Sequence, residues 1–375
     1  MPELPKVLIL VRQTKSQADK KVVLVGITTT NEFFYLKPIL AGLIGDKKYW
    51  LVILADKKIY ADLKNLVKTE LNKNLPVVNN FWAKFFLQID IYLNATLSYD
   101  TVVPAQAKHK ISLPHSITSK SKADIFSPVL GEITDIFVTG PAFVIDLENY
   151  YQQNSIKHRP VVHQVGCPKS DELFTGNIDK KQLLQKIGLD PDLPTVFYAP
   201  TWNQEASVYS WLEDIMVLTK KFKINLIIKL HPGAYADPRK VKVSGGVDWK
   251  KFFVAENLKQ HRIYNVLNDD SADFVKITDL AITDISTTWI EFYLLRKPIV
   301  FLDIPQFFAK YGFNSLGDFR HAYGYVVKTA KELDEIMNQF VNLSLLVKNP
   351  PALDDQLLFN KGQATPAALS LINSL

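Results

Sequence analysis

The chain has 375 residues, 47% hydrophobic and 22% charged, a balance that supports buried cores and excludes a disordered or collagen-like polymer. A single cysteine excludes an internal disulfide scaffold and suits a reducing compartment. The net charge of +6 suits anionic substrates or surfaces; no dense Lys/Arg tract or zinc-finger spacing is present, so no nucleic-acid partner is expected.

At this length two domains are the expectation. The opening holds only a short apolar run, Val7–Val11, before Arg12, too short for the apolar region of a secretory leader. The most apolar stretch, Phe81–Leu93, is broken by Lys84 and Asp90, so no membrane span is expected and the chain reads as cytoplasmic. Val7–Val11 and Val22–Val25 read as strands, Tyr35–Ile44 as a helix and Trp50–Leu54 as a buried strand. Lys110–Leu113 and Asp135–Thr139 read as short strands ending in polar or glycine-containing loops. Ile178–Ile187 reads as a helix stopped by Gly188, Pro191 and Pro194.

A domain boundary is expected between Ser170 and Pro194, dividing the chain into 1–175 and 176–375. Beyond it, strands are expected at Thr195–Tyr198, Ile224–Leu230, Ile263–Val266, Leu280–Thr283 and Ile299–Leu302. Helices are expected at Val208–Phe222, Trp249–Lys259 and from Thr288 through Leu295. Thr329 and Glu332 form a capping box ahead of a helix with Leu333, Ile336, Met337, Phe340 and Val341 on one face. The alternation is that of an α/β chain with two parallel sheets and a central cleft, where ligands bind beyond the carboxyl ends of strands.

The polar loops at those ends hold the candidate site residues. Asp284, Ser286, Thr287 and Thr288 follow a strand and open a helix, where unpaired N–H groups attract phosphate; simple capping would need only one hydroxyl. His231-Pro232 ends another strand, leaving a histidine suited to act as base or as donor to phosphate. Thr201 and Trp202 follow a third strand. His115 follows a short strand in the first half, and Lys169 sits in the turn Gly166–Asp171. Cys167 has no activating partner in the pattern and reads as a small buried residue. There is no Walker A, G-x-G-x-x-G or G-x-S-x-G pattern, no metal-site spacing and no Asp-x-Asp, so no metal or resident cofactor is expected.

Taken in order, GCPKSDELF, VFYAPTW, IIKLHPG, ITDLAITDISTTWIEFYLLRKPIVFLD and FNKGQAT resemble the motifs of the CDP-glycerol glycerophosphotransferases of teichoic acid and capsule synthesis. The likeness runs from about His163 to Thr365; the first half contributes chiefly LPHS, which is similar to the family's His-Gly element. The resemblance implies a GT-B architecture of two Rossmann-like domains. It also implies a transferase in which an acceptor hydroxyl attacks the β-phosphorus of a CDP-activated alcohol and CMP leaves. Carried over, His115 is the acceptor-side base and His231 contacts the diphosphate. Ser286 and Thr287 hold phosphate, and Thr201 lines the same pocket. The expected partners are a nucleotide-activated donor such as CDP-glycerol, a glycan or lipid-linked acceptor, and an anionic membrane surface at the inner face of the plasma membrane.

The chain departs from the family pattern at Ile285, Ser116 and Thr287, and after Asp303 it lacks the family's Arg-Gly-aromatic stretch and the following Pro-Gly. Two alternatives therefore stand beside the phosphotransferase. One is a GT-B glycosyltransferase using a sugar nucleotide in capsule or lipopolysaccharide synthesis, and the other is a non-catalytic module that binds an anionic polymer.

Overall fold

The computed structural model describes residues 4–79, 87–96, 103–114, 117, 128–156, 158–202, 204–235, 238–239, 241–255, 258, 262–267, 270–348 and 353–375. His115, Ser116 and the Phe81–Phe86 part of the apolar stretch lie outside them. The described residues fall into two units, the first reaching Glu172 and including Asp355–Leu375, the second spanning Leu173–Asp354.

The chain opens with helix α1 (Leu4–Lys15), not with the strand expected at Val7–Val11. Leu10 and Thr14 are buried while Ile9 is exposed, the four-residue spacing of a helix face, and the Thr14 hydroxyl donates to the Leu10 carbonyl at 2.9 Å. The first unit continues through β1 (Lys21–Ile27), α2 (Thr30–Gly45), β2 (Tyr49–Ala55), α3 (Tyr60–Glu70), β3 (Val77–Val78), β4 (Ile91–Asn94), β5 (His109–Ser112), β6 (Asp135–Val138), α4 (Pro141–Asn154) and β7 (Val161–Gln164). Its sheet runs β3-β2-β1-β4-β5-β6-β7, with every pairing parallel.

The second unit comprises α5 (Lys180–Lys186), β8 (Thr195–Ala199), α6 (Val208–Phe222), β9 (Asn225–Ile228), α7 (Trp249–Ala255), β10 (Ile263–Asn265), α8 (Ser271–Ile277), β11 (Leu280–Thr283), α9 (Thr288–Leu294), β12 (Ile299–Leu302), α10 (Pro305–Tyr311), β13 (Tyr325–Val327) and α11 (Ala330–Val341). Its sheet is again all parallel, in the order β10-β9-β8-β11-β12-β13. Strands β8, β9, β11 and β12 are buried at every residue, which is why they read as unbroken apolar runs. On one face Trp211, Leu212 and Ile215 of α6 share a core with Leu333, Met337 and Phe340 of α11. Burying a leucine or methionine of this kind contributes about 1.5–3 kcal/mol. Each sheet reverses its strand order once, between β1 and β4 and between β8 and β11, and loops leaving the carboxyl ends diverge there.

The last helix, α12 (Ala364–Ser374), belongs to the first unit, so the expected division at 175/176 misplaces this segment. The motif FNKGQAT meets the motif GCPKSDELF directly. Asp171 accepts from the Ala364 and Thr365 N–H groups at 3.1 and 2.7 Å, and the Asn360 amide donates to the Gln164 carbonyl at 2.9 Å. A carboxylate at a helix start satisfies otherwise unpaired donors, here from almost two hundred residues away. Gly166, at φ +94°, allows the approach: a Cβ there would lie 2.2 Å from the Phe359 carbonyl oxygen. No helix among the described residues is long and apolar enough to cross a membrane.

Candidate functional site

The switch point of the second sheet is built from the loops that follow β8 and β11. The Thr283 hydroxyl ties the two strand ends together by donating to the Ala199 carbonyl at 2.7 Å. One residue on, Asp284 is fully buried. Its Oδ1 accepts from the N–H groups of Thr201 (2.8 Å), Ile285 (2.6 Å) and Ser286 (3.1 Å). Its Oδ2 accepts from the Ser207 N–H at 3.0 Å and the Ser207 hydroxyl at 2.9 Å. The Ser207 proton is therefore committed to Asp284, so the Tyr198 hydroxyl, 2.9 Å away, is the donor to Ser207. Burial first, and then the Asp284 charge, holds the Tyr198 phenol protonated well beyond its ordinary range. Five donors on one carboxylate fix the shape of both loops.

Thr201 is buried beside Asp284, while Ser286, Thr287 and Thr288 are half-buried at the start of α9. Thr287 occupies the N-cap position without a side-chain capping bond, and the Ser286 and Thr288 hydroxyls lie 3.2 Å apart. The plain capping role weighed in the sequence thus is not the one Thr287 performs.

His231 lies two residues beyond Lys229, past the end of β9, which pairs with β8. Its Nδ1 accepts from the Gly233 N–H at 3.0 Å, so in the neutral ring the proton resides on Nε2. The ring stacks on Trp202, with centroids 5.6 Å apart and planes inclined by 28°. Through Trp202, Thr201 and Asp284, the candidates of the second unit thus form one continuous strip across the ends of β9, β8 and β11. Lys169 lies on the first unit, buried, with its ammonium 4.9 Å from the centre of the Tyr35 ring.

The chain's departure after Asp303 has its own structure. Arg320 donates to Asp303 at 2.8 Å and to both oxygens of Asp318 at 2.8 and 3.0 Å, while its guanidinium covers Phe308. Phe319 stacks on Trp289 of α9, centroids 4.5 Å apart, so this loop is clamped to the element that carries Ser286 to Thr288.

Sequence reasoning missed Ser207 and the Gly233 N–H. Ser207 precedes an amphipathic helix, where a serine signals a helix cap, yet its side chain makes no capping bond and turns to Asp284. No local pattern marks a backbone N–H as the partner that sets a histidine's tautomer.

The sequence model for CDP-glycerol:poly(glycerophosphate) glycerophosphotransferases matches residues 147–343. Among solved structures, the chain is similar to the wall teichoic acid polymerase TagF, with 14% identity and a TM-score of 0.64, covering 97% of this chain and 92% of that one. It is also similar to a UDP-GlcNAc 2-epimerase from Neisseria meningitidis, with 13% identity and a TM-score of 0.55, covering 94% of this chain and 100% of that one. No curated protein sequence matches the chain. At such identities the structural likenesses establish the GT-B type of fold, and the family match spans more than half of the sequence. The chain accordingly belongs to the CDP-glycerol:poly(glycerophosphate) glycerophosphotransferase family and is a CDP-glycerol-using transferase.

Proposed function

We propose that the donor diphosphate binds along the strip formed by the ends of β9, β8 and β11, and that the enzyme transfers glycerol-phosphate or a related alditol-phosphate to a cell-surface glycan or its lipid-linked precursor. The observation that carries this reading is the convergence of hydroxyls and a tautomer-fixed histidine at the switch point of the second sheet. Thr201, Ser286, Thr287 and Thr288 supply hydroxyls to phosphate oxygens. Asp284, already saturated with protein donors, acts by positioning them.

In the reaction the acceptor oxygen bonds to the β-phosphorus as the bridging P–O bond to CMP breaks. The His231 Nε2–H stabilises charge on the departing phosphate, a role that fits phosphoryl transfer by positioning and electrostatics. His115 takes the proton of the acceptor hydroxyl, and Lys169 serves as a phosphate-side cation. The reaction as written needs no metal or resident cofactor. The net charge of +6 supports docking on the anionic inner face of the plasma membrane.

A sugar-nucleotide donor is the second reading. It is favoured by the missing Arg-Gly-aromatic stretch and by the UDP-GlcNAc bound to the epimerase of like fold. A thermal-shift titration with CMP, CDP, CDP-glycerol, UDP and GDP separates the two, since a ligand at 100 times its Kd stabilises by about 2.7 kcal/mol. Selective stabilisation by cytidine nucleotides, with CMP release from CDP-glycerol on adding acceptor, is the expected result. Stabilisation by UDP or GDP alone overturns the CDP-alcohol reading.

A further inference from the structure

The switch point of the first sheet carries buried polar groups that the described residues leave largely unsatisfied. Asn94 ends β4, in register with Gly26 of β1 on one side and with Ser112, the last residue of β5, on the other. Register partners in a parallel sheet share a face, so the Asn94 and Ser112 side chains stand side by side at the carboxyl edge. Both residues are fully buried, yet among the described residues the Ser112 hydroxyl has no hydrogen-bond partner and the Asn94 amide has none beyond the Tyr92 hydroxyl beside it. Folded proteins rarely leave such groups unpaired, because each costs the desolvation of a donor or acceptor.

A third group adjoins them. Tyr92 is two residues before Asn94 on the same face, and its hydroxyl rests over Gly26, where a Cβ would stand 2.4 Å from it. Burial keeps this phenol protonated, against the opposing pull of its hydrogen bond with the Asn94 side chain and helped by the nearby charge of Glu32. Glu32 also decides the ligand's charge. Its carboxylate, at the start of α2, accepts from the Thr28 N–H at 2.8 Å and the Thr28 hydroxyl at 2.6 Å. The positive end of that helix is thus neutralised from within, and an incoming anion would meet a like charge.

We propose that Asn94, Ser112 and Tyr92 form a binding site for the uncharged hydroxyl groups of a polyol or sugar. Asn94 offers two donors and an acceptor, and the two hydroxyls each offer one of both, a set matched to vicinal diols. The site deepens the transferase reading, on which it rests only for its role of holding the acceptor.

The test is saturation-transfer NMR on the full chain with ribitol and, separately, N-acetylglucosamine as probes. Inorganic phosphate serves as competitor, and CDP is titrated in parallel. Signals from at least one probe are expected, reduced at least tenfold in both Asn94→Leu and Ser112→Ala, undisturbed by phosphate, and with CDP affinity unchanged in Ser112→Ala. Each variant should also melt higher than the parent chain, since it removes unpaired buried atoms. Which probe binds tells polyol from sugar. Silence from both probes, displacement by phosphate, or undiminished signals in Ser112→Ala overturns the proposal, as does a lowered Tm with binding intact, which would mark the pair as structural. Loss of CDP binding to the parent chain with probe binding intact would instead refute the donor reading and leave this site standing.

Discussion

Asp284 and His231 are oriented by main-chain N–H groups, and this sets what their replacement should do. Asp284→Asn keeps the size but turns an acceptor atom into a donor facing N–H groups. The expected cost is about 2–4 kcal/mol, read as a lower urea midpoint for the second unit, together with weaker CDP binding. His231→Ala should lower kcat by about 100-fold or more with little loss of stability, since the ring is only half-buried. Lys297 carries the pH prediction. Its ammonium donates to the carbonyls of Val275, Lys276 and Thr278 around the end of α8, and burial lowers its pKa to about 8. Between pH 8 and the ordinary lysine value the unfolded chain holds the extra proton, so stability rises with pH across that window. Denaturant unfolding at pH 7.5 and 9.5 should show a higher midpoint at 9.5, and Lys297→Met should abolish the difference.

At the scale of elements, strong local signals and the structure coincide. The capping box before α11 forms, with the Thr329 hydroxyl accepting from the Glu332 N–H at 3.2 Å, although the Glu332 carboxylate reaches the Lys328 N–H rather than that of Thr329. Thr329→Ala should cost about 1 kcal/mol, seen as a small fall in Tm. The buried strands of the second sheet announce themselves as apolar runs. Val7–Val11 failed because five apolar residues in a row carry no periodicity, and only the burial of Leu10 and Thr14 decides for a helix. β7 was missed for the opposite reason: at the edge of its sheet, Val161 is 60% exposed, and no apolar pattern marks the strand.

For the whole molecule, the decisive contact is the return of the chain's last segment to the first unit. Gly140 has no room for a side chain there, because a Cβ would stand 2.1 Å from the Leu357 carbonyl oxygen, a backbone atom that cannot swing aside. Gly140→Ala should therefore release this segment. Hydrogen exchange across Ala364–Ser374 should become faster and Tm should fall, whereas unchanged protection would mean that the segment is held independently of this contact. By itself the sequence determined the parallel α/β class, the positions of five strands in the second half and the motif set that marks the family, because each is written in neighbouring residues. Only the tertiary structure decided that Asp284 organises loops, that Ser207 serves it, that the two terminal motifs bind each other, and that Asn94 and Ser112 stand buried side by side. Each of these joins residues distant along the chain, and no local periodicity or propensity records such a meeting.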